Sequence, residues 1–159
     1  MSEPGEKRRQ EDYGIDYLQR RLDREFPLAR HIRVQTESAD DRGVVLRAPL
    51  APNANYKGTA FGGSLFSLAV LAGWAWATRY LAARQIGADV VIQESTIRYM
   101  APASGELRAV LEAPAAAAVE KFHRMLERAG RGRIRLQVGV FEGKTLASQF
   151  DGLYAVLLR

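Results

Sequence analysis

From Gly58 to Thr78 the chain carries no charged side chain, a length that would let a helix cross about 30 Å of hydrocarbon. This stretch constrains the fold more than any other. Its first part, Gly58-Thr59-Ala60-Phe61-Gly62-Gly63-Ser64, reads as a loop and helix cap, and the truly apolar part runs only from Leu65 to Ala77. That part is too short to span a bilayer. Leu65, Leu68, Val70, Leu71, Trp74 and Trp76 fall on every side of a helix, and a helix that is apolar all round must be enclosed by other parts of a fold. Ser64 is the expected cap, Arg79, Arg84 and Gln85 make a polar end, and Gly87 is the expected stop.

The rest of the chain has to supply the enclosure. With 159 residues there is room for one core, expected over residues 13–159. A polar tail, residues 1–12, precedes it and has no apolar run of the kind a signal peptide needs. Ile15, Leu18, Leu22 and Phe26 form the stripe of an amphipathic helix that Pro27 ends. Val34-Gln35-Thr36 and Val44-Val45-Leu46-Arg47, joined by Asp40-Asp41-Arg42-Gly43, predict a hairpin. Asp89 to Met100 reads as a strand, and Ala101-Pro102-Ala103-Ser104-Gly105 turns it into another, Glu106 to Ala113. Ala115 to Arg128 is helical, broken by Gly130 and Gly132. Ile134, Leu136, Val138 and Val140 then alternate with Arg133, Arg135, Gln137 and Gly139, and Glu142-Gly143-Lys144 turns into a closing strand, Leu146 to Leu157. Turn-length links between consecutive strands imply antiparallel pairing. The class is therefore α+β, a curved antiparallel sheet wrapped around a long buried central helix. One sheet covers only part of such a helix, so a second subunit is expected to complete its burial.

Composition removes several chemistries. There is no cysteine, hence no disulfide, thiolate nucleophile or Cys-ligated metal, which is compatible with the reducing cytoplasm where the chain is expected. No metal site is expected: the two histidines, His31 and His123, read as surface residues. The net charge of +5 suits an acidic partner or simply a solvated surface. Arg124, Arg128, Arg131, Arg133 and Arg135 are open to the same two readings, a meeting with an acidic carrier protein or coenzyme phosphate, or a solvent-facing edge. No nucleic-acid reader motif accompanies them, so neither nucleic acid nor membrane is an expected partner. Trp74, Trp76 and Tyr80 could line a tunnel or form plain core.

The densest chemistry lies in Asn53-Ala54-Asn55-Tyr56-Lys57-Gly58-Thr59-Ala60-Phe61-Gly62-Gly63-Ser64, the loop that enters the buried helix. Glycines there let a ligand approach backbone closely, and the first N–H groups of a helix are unpaired donors with partial positive charge. Such an end can hold an anion or a developing oxyanion. Asn55 adds an amide donor, and Thr59 and Ser64 add hydroxyls. The run lacks the Gly-Lys-Ser/Thr ending of a phosphate loop, and Gly130-Arg131-Gly132 does not open a helix after a strand, so neither nucleotide fingerprint applies.

An Asn, a short gap, Gly, and Phe-Gly-Gly at the start of a long apolar helix, followed by a strand ending Arg98-Tyr99-Met100-Ala101-Pro102, resemble a hotdog-fold thioesterase. The closer resemblance is to the thioesterase family named for the C-terminal domain of bacterial YiiD-type proteins. Asn55, Gly58, Thr59, Phe61, Gly62, Gly63 and Ser64 match its central motif, as does the acid–serine pair Glu94-Ser95, and the similarity runs from about Tyr13 to the C-terminus. The resemblance implies homodimers or dimers of dimers, with acyl-CoA or acyl-carrier-protein thioesters bound near the subunit interface. No cofactor is implied beyond the CoA or phosphopantetheine of the substrate itself. In that frame the thioester carbonyl faces backbone N–H groups around Gly62, Gly63 and Ser64, helped by Asn55. Thr59 orients the substrate, Glu94 or Ser95 positions water or delivers a proton, and Tyr56, Gly58, Phe61 and Gly62 contact the substrate.

Two departures from the pattern bear on chemistry. Many small hotdog hydrolases have His-Gly-Gly where this chain has Phe61-Gly62-Gly63. They also carry Asp or Glu about two turns into the central helix, where this chain has Leu68-Ala69-Val70-Leu71. Hydrolysis needs a group that activates water. Glu94 is the substitute at hand, although alternation puts Glu94 and Ser95 on opposite faces unless a bulge intervenes. The reading is thioester hydrolysis. Malonyl-thioester decarboxylation, which needs an oxyanion site and no nucleophile, stays open beside it, as does a non-catalytic acyl- or carrier-protein-binding module.

Overall fold

The computed structural model describes Gly5 and residues 12–159; apart from Gly5 and Asp12, the expected polar tail lies outside the described residues. The amphipathic stripe becomes helix α1, Ile15–Glu25, with Leu18 and Leu22 buried. Pro27 does more than end it. Its fixed φ and missing N–H suit the first turn of a helix, and it opens a short α2, Pro27–His31. Strands β1, Gln35–Asp40, and β2, Gly43–Ala48, form the expected hairpin. The central helix α3 spans Gly62–Ala83 and is followed by β3, Ala88–Tyr99, and β4, Leu107–Glu112. Helix α4, Ala116–Ala129, ends on Gly130 at φ 66°; Gly132, expected as a second breaker, instead lies inside β5, Arg131–Glu142. The closing strand β6 is Thr145–Leu158.

All neighbouring strands are antiparallel, and their order is β1-β2-β4-β5-β6-β3. The expected β3–β4 hairpin is not formed. β3 pairs with β6 from Ala88↔Leu158 to Tyr99↔Ser148, while β4 lies between β2 and β5. The link between them crosses the fold instead of turning back. Its Ala103 is buried, and the Ala103 carbonyl accepts from Ala60 N–H at 2.8 Å, just ahead of α3.

Helix α3 packs on β2, β3, β4, β5 and β6. By length and composition it would cross a membrane, but 78% of its apolar window is buried inside the protein. Every residue from Leu71 to Leu81 is buried, including Arg79, which was expected at a solvated polar end. On the side away from the sheet, Phe26 meets Trp74 edge-on at 4.7 Å, and the Arg21 guanidinium lies over the same indole. The single chain thus encloses most of its own helix, and bareness of that helix is no longer the reason to expect a second subunit. The helix ends at Ala83, four residues before Gly87. Gln85 takes φ 57°, its N–H donates to Ala82 O, and Ile86 N–H donates to Leu81 O, a left-handed C-terminal cap built on a non-glycine residue.

The two sheet edges are treated differently. The β1 edge is met by α1: Gln19 Nε2 donates to Val34 O at 3.0 Å and its Oε1 accepts from Thr36 N–H at 2.7 Å. β1 also bulges at Glu37, whose carboxylate receives Arg108 Nε at 3.1 and 3.2 Å from β4, tying three strands together. The hydrogen bond from Arg108 holds the Glu37 carboxyl below its ordinary value, against a smaller opposing effect of burial. A depressed folded-state pKa means the pair stabilises the fold above the unfolded carboxyl value and loses that contribution as pH falls through the folded one. Glu37→Gln should therefore lower the stability at pH 7, by at most about 1 kcal/mol for a pair this exposed, and the gap to the wild type should narrow as the pH is taken down into acid. A gap that persists unchanged in acid would show that the ion pair is not its source. The opposite edge, β3, pairs with nothing on its outer side among the described residues.

Candidate functional site

The loop ahead of α3 is a small closed structure. Ala54 and Ala60 form an antiparallel bridge, Asn55 N–H donates to Thr59 O at 2.7 Å, and Gly58, at φ 78°, donates its N–H to Asn55 O. The Asn55 side chain fastens the same turn. Its Oδ1 accepts from Lys57 N–H at 2.8 Å and Thr59 N–H at 3.2 Å, and its Nδ2 donates to Thr59 Oγ1 at 2.9 Å and toward Ala60 O at 3.5 Å. Asn side chains close turns in this way readily. The amide expected to point at a substrate oxygen is thus engaged inside the loop, and so is the Thr59 hydroxyl. Tyr56 stands outside, 92% exposed, with Lys57 Nζ 5.6 Å over its ring.

Asn53, passed over by sequence reasoning, anchors the loop to the core. It is buried, its Nδ2 donates to Ile32 O at 3.0 Å and Pro49 O at 2.8 Å, and its backbone carbonyl accepts from Phe61 N–H at 2.7 Å. With Ala60 fixed to Ala103, both strands of the loop deliver Phe61 to a defined place. Phe61, at φ −65° and ψ 132°, takes the N-cap position in place of Ser64. Its carbonyl accepts from Ser64 N–H at 2.9 Å and Leu65 N–H at 3.1 Å, so the Ser64 amide is spent within the turn and its side chain is buried.

Two donors are left. Among the described residues, neither the Gly62 nor the Gly63 N–H meets an acceptor, and the first turn of α3 holds no acidic residue. These amides sit at the positive end of a long helix. The Phe61 ring lies over Gly63: a Cβ built there would fall 2.4 Å from Cε1. On the other side the Tyr99 ring lies 3.3 Å from a Cβ at Gly62, and its hydroxyl donates to Gly62 O at 3.0 Å. Both rings are more than half exposed, Phe61 58% and Tyr99 56%, so this end of the helix forms part of the surface. Tyr99 comes from the far end of β3, which is why sequence spacing alone does not associate it with Gly62.

The register of β3 places the acid–serine pair. The ladder shifts between Ile92 and Glu94, leaving Gln93 as a bulge, and resumes as Glu94↔Leu153 and Ser95↔Gly152. Directly paired residues share a face. Ser95 therefore lies on the face of Gly152, Tyr154 and Phe150, which are buried toward α3, in line with Ile97 and Tyr99. Glu94 lies on the outer face of the sheet. Both side chains are exposed. The structure thus brings together Gly62, Gly63, Phe61 and Tyr99, puts Ser95 on their side of the sheet, and keeps Glu94 on the other.

Comparison with known proteins follows the same lines. A family model described as "Putative thioesterase (yiiD_Cterm)" matches residues 15–158. A protein of unknown function from Chlorobaculum tepidum TLS is 32% identical, with a TM-score of 0.86, over 91% of this chain and 94% of that one. A "putative thioesterase" from Shewanella oneidensis is 27% identical, TM-score 0.81, over 91% of this chain and 97% of that one. A protein from Pseudomonas aeruginosa described as a probable thioesterase shares the fold, at 22% identity and a TM-score of 0.75, over 91% of this chain and 96% of that one.

Proposed function

Since the chain belongs to the YiiD-type C-terminal thioesterase family and has its hotdog fold, we propose that it hydrolyses acyl thioesters, with the Gly62 and Gly63 amides holding the oxyanion. The observation that carries this reading is the pair of unpartnered N–H groups at the start of a buried helix. In a thioester the carbonyl oxygen gains negative charge as the tetrahedral intermediate forms, and fixed donors aimed at that oxygen stabilise it selectively. Asn55 and Thr59 serve by position. They hold the turn that delivers Phe61, and through Phe61 the two amides. Tyr99 fixes the peptide from the other side through Gly62 O. The substrate is an acyl-CoA or acyl-carrier-protein thioester, its acyl part against the rings of Phe61 and Tyr99.

A homodimer completes the site. The free edge and exposed residues of β3, among them Val91, Ser95 and Tyr99, end beside Gly62, and a bare strand edge of that length is a pairing surface. A second copy there supplies the wall that a single chain lacks around the amides.

One observation supports a second reaction at the same place. Helix α3 carries no carboxylate along its whole length, and Glu94 lies across the sheet from the amides. Decarboxylation of a malonyl thioester needs no base. The C–C bond to the carboxylate breaks, carbon dioxide leaves, and the electron pair becomes an enolate whose oxygen the amides hold until a proton restores the acetyl thioester. Incubation with acetyl-, long-chain and malonyl thioesters, with free thiol and carbon dioxide measured separately, separates the two. Hydrolysis predicts thiol without carbon dioxide, and decarboxylation predicts the reverse. Binding without either product would leave a non-catalytic module and overturn both.

A further inference from the structure

About 25 Å along α3 from Gly62, at 1.5 Å per residue, lies a second feature that the thioester site does not use. Arg79 points from the helix with its side chain only 9% exposed. Among the described residues its Nε is buried without a partner, and its nearest carboxylate is Asp41 Oδ1, 3.6 Å from Nη1 and outside hydrogen-bond reach. Asp41 is on the exposed β1–β2 turn, with its side chain 63% accessible, and is a loosely held counter-ion. A guanidinium offers five N–H donors, and burying its Nε–H without an acceptor is costly.

Arg79 lines a cavity of about 600 Å³ between the C-terminal half of α3, helix α4 and the β1–β2 turn. Trp76 and Tyr80, on the Arg79 face of α3, stack at 5.4 Å and form its apolar floor with Val119 from α4. The Tyr80 hydroxyl meets His123 Nδ1 at 3.1 Å, and Arg84 lies 3.7 Å over the Tyr80 ring, so this wall is fixed. His123, expected on a solvated face, is part of the rim. The other charged groups are Glu120 and Arg124 on α4 and Asp40 and Asp41 at the β1–β2 turn; Asp40 is taken up by Arg42 at 3.0 Å. Arg79 is the one deeply buried cation among them.

We propose that this cavity is a second ligand site, which takes an organic acid with its carboxylate or phosphate head on Arg79 and its apolar body on Trp76, Tyr80 and Val119. The planar fork of arginine matches two oxygens of either head group. The volume lies within the roughly 300–1,000 Å³ usual for small-molecule sites. Bound oxygen atoms would give the guanidinium the partners it lacks, displacing Asp41 toward solvent. The site is independent of the reaction at Gly62.

Titration of the full chain with octanoate, phenyl phosphate, inorganic phosphate and octanol, read by Trp fluorescence and thermal shift, tests it. Saturable binding of octanoate or phenyl phosphate is expected, at least tenfold tighter than octanol or inorganic phosphate, and the better of the two identifies the head group. Arg79→Met should weaken that binding tenfold or more while the unfolding temperature holds or rises, because a buried charge held only by the loose Asp41 pair has been removed. Asp41→Asn should tighten it by removing the competing carboxylate, and Val119→Trp should abolish it by filling the cavity. Absence of saturable binding by either acid, undiminished binding to Val119→Trp, or weaker binding to Asp41→Asn would overturn the proposal even if Arg79→Met failed to fold.

Discussion

Gly62→Pro is expected to lower thioester turnover by about 10²–10³-fold while the protein stays folded. Proline removes the N–H and adds a side-chain ring whose Cβ would meet Tyr99, a steric effect that Gly62→Ala reports separately. Gly62 is the first residue of α3, where the amide has no intrahelical acceptor and proline's fixed φ is already helical. Proline also restricts the residue before it to extended backbone, and Phe61 is there already, at φ −65° and ψ 132°. A loss of rate with the unfolding temperature preserved therefore reports the donor. Gly62→Ala separates shape from hydrogen bonding. It keeps the N–H and adds a Cβ 3.3 Å from the Tyr99 ring, which is exposed enough to yield. Alanine should retain most of the activity that proline loses. Equal losses in the two variants would assign the effect to Tyr99, and full activity in folded Gly62→Pro would remove that amide from the mechanism. Hydrolysis and decarboxylation share the oxyanion, so the expectation holds for whichever product is formed.

The parts of this fold that were legible in sequence are those set by local pattern. An all-round apolar helix, a turn at Asp40–Gly43 and the alternation of Ile134 to Val140 each follow from side chains within a few residues of one another. Misreadings fall where a distant partner decides. The link after β3 has turn-like composition, yet β6 takes the β3 ladder and Ala60 takes the Ala103 carbonyl, so the chain crosses to the far side of β5. The faces of Glu94 and Ser95 hinge on one bulged residue, Gln93, and a single-residue shift moves every side chain beyond it to the other face. Ser64 lost the cap to Phe61 because the hydrogen bonds from Phe61 N–H to Asn53 O and from Ala60 N–H to Ala103 O fix where the helix starts. Arg79 sits next to Thr78 at what reads as the polar end of the helix, and elements distant in sequence, the β1–β2 turn, α1 and α4 among them, surround it. The Asn55 turn was readable in principle: an Asn three residues before a Gly is a common turn signal, and its own side chain is the first candidate to satisfy such a turn.

Gly73→Ala should cost about 2–4 kcal/mol of stability, and Gly73→Val should prevent folding at ordinary temperatures. Glycine in mid-helix is itself unfavourable by about 1 kcal/mol relative to alanine, so its presence in α3 calls for a packing reason. Tyr154 supplies it. From β6 its ring crosses against the helix backbone, its hydroxyl donates to Val70 O at 2.8 Å, and a Cβ at Gly73 would lie 2.1 Å from Oη and 2.3 Å from Cζ. The ring is 1% exposed and has nowhere to retreat. Burial raises the Tyr154 phenol far above its ordinary value, so it stays a neutral donor at every working pH. Alanine would thus trade a small gain in helix propensity for the loss of a buried hydrogen bond and a displaced ring. Chemical unfolding of Gly73→Ala, Tyr154→Leu and the double variant measures the coupling: the double variant should be more stable than the sum of the two single losses predicts, because the clash is counted only once the ring is present. The consequence reaches the reaction. Tyr154 holds α3 against the sheet at mid-length, and Tyr99 holds it at its start, so the Gly62 and Gly63 amides inherit their place from these two contacts. A Gly73→Ala protein as stable as the wild type would mean that α3 is not seated where Tyr154 meets it, and the position of its first turn against β3 would lose its support.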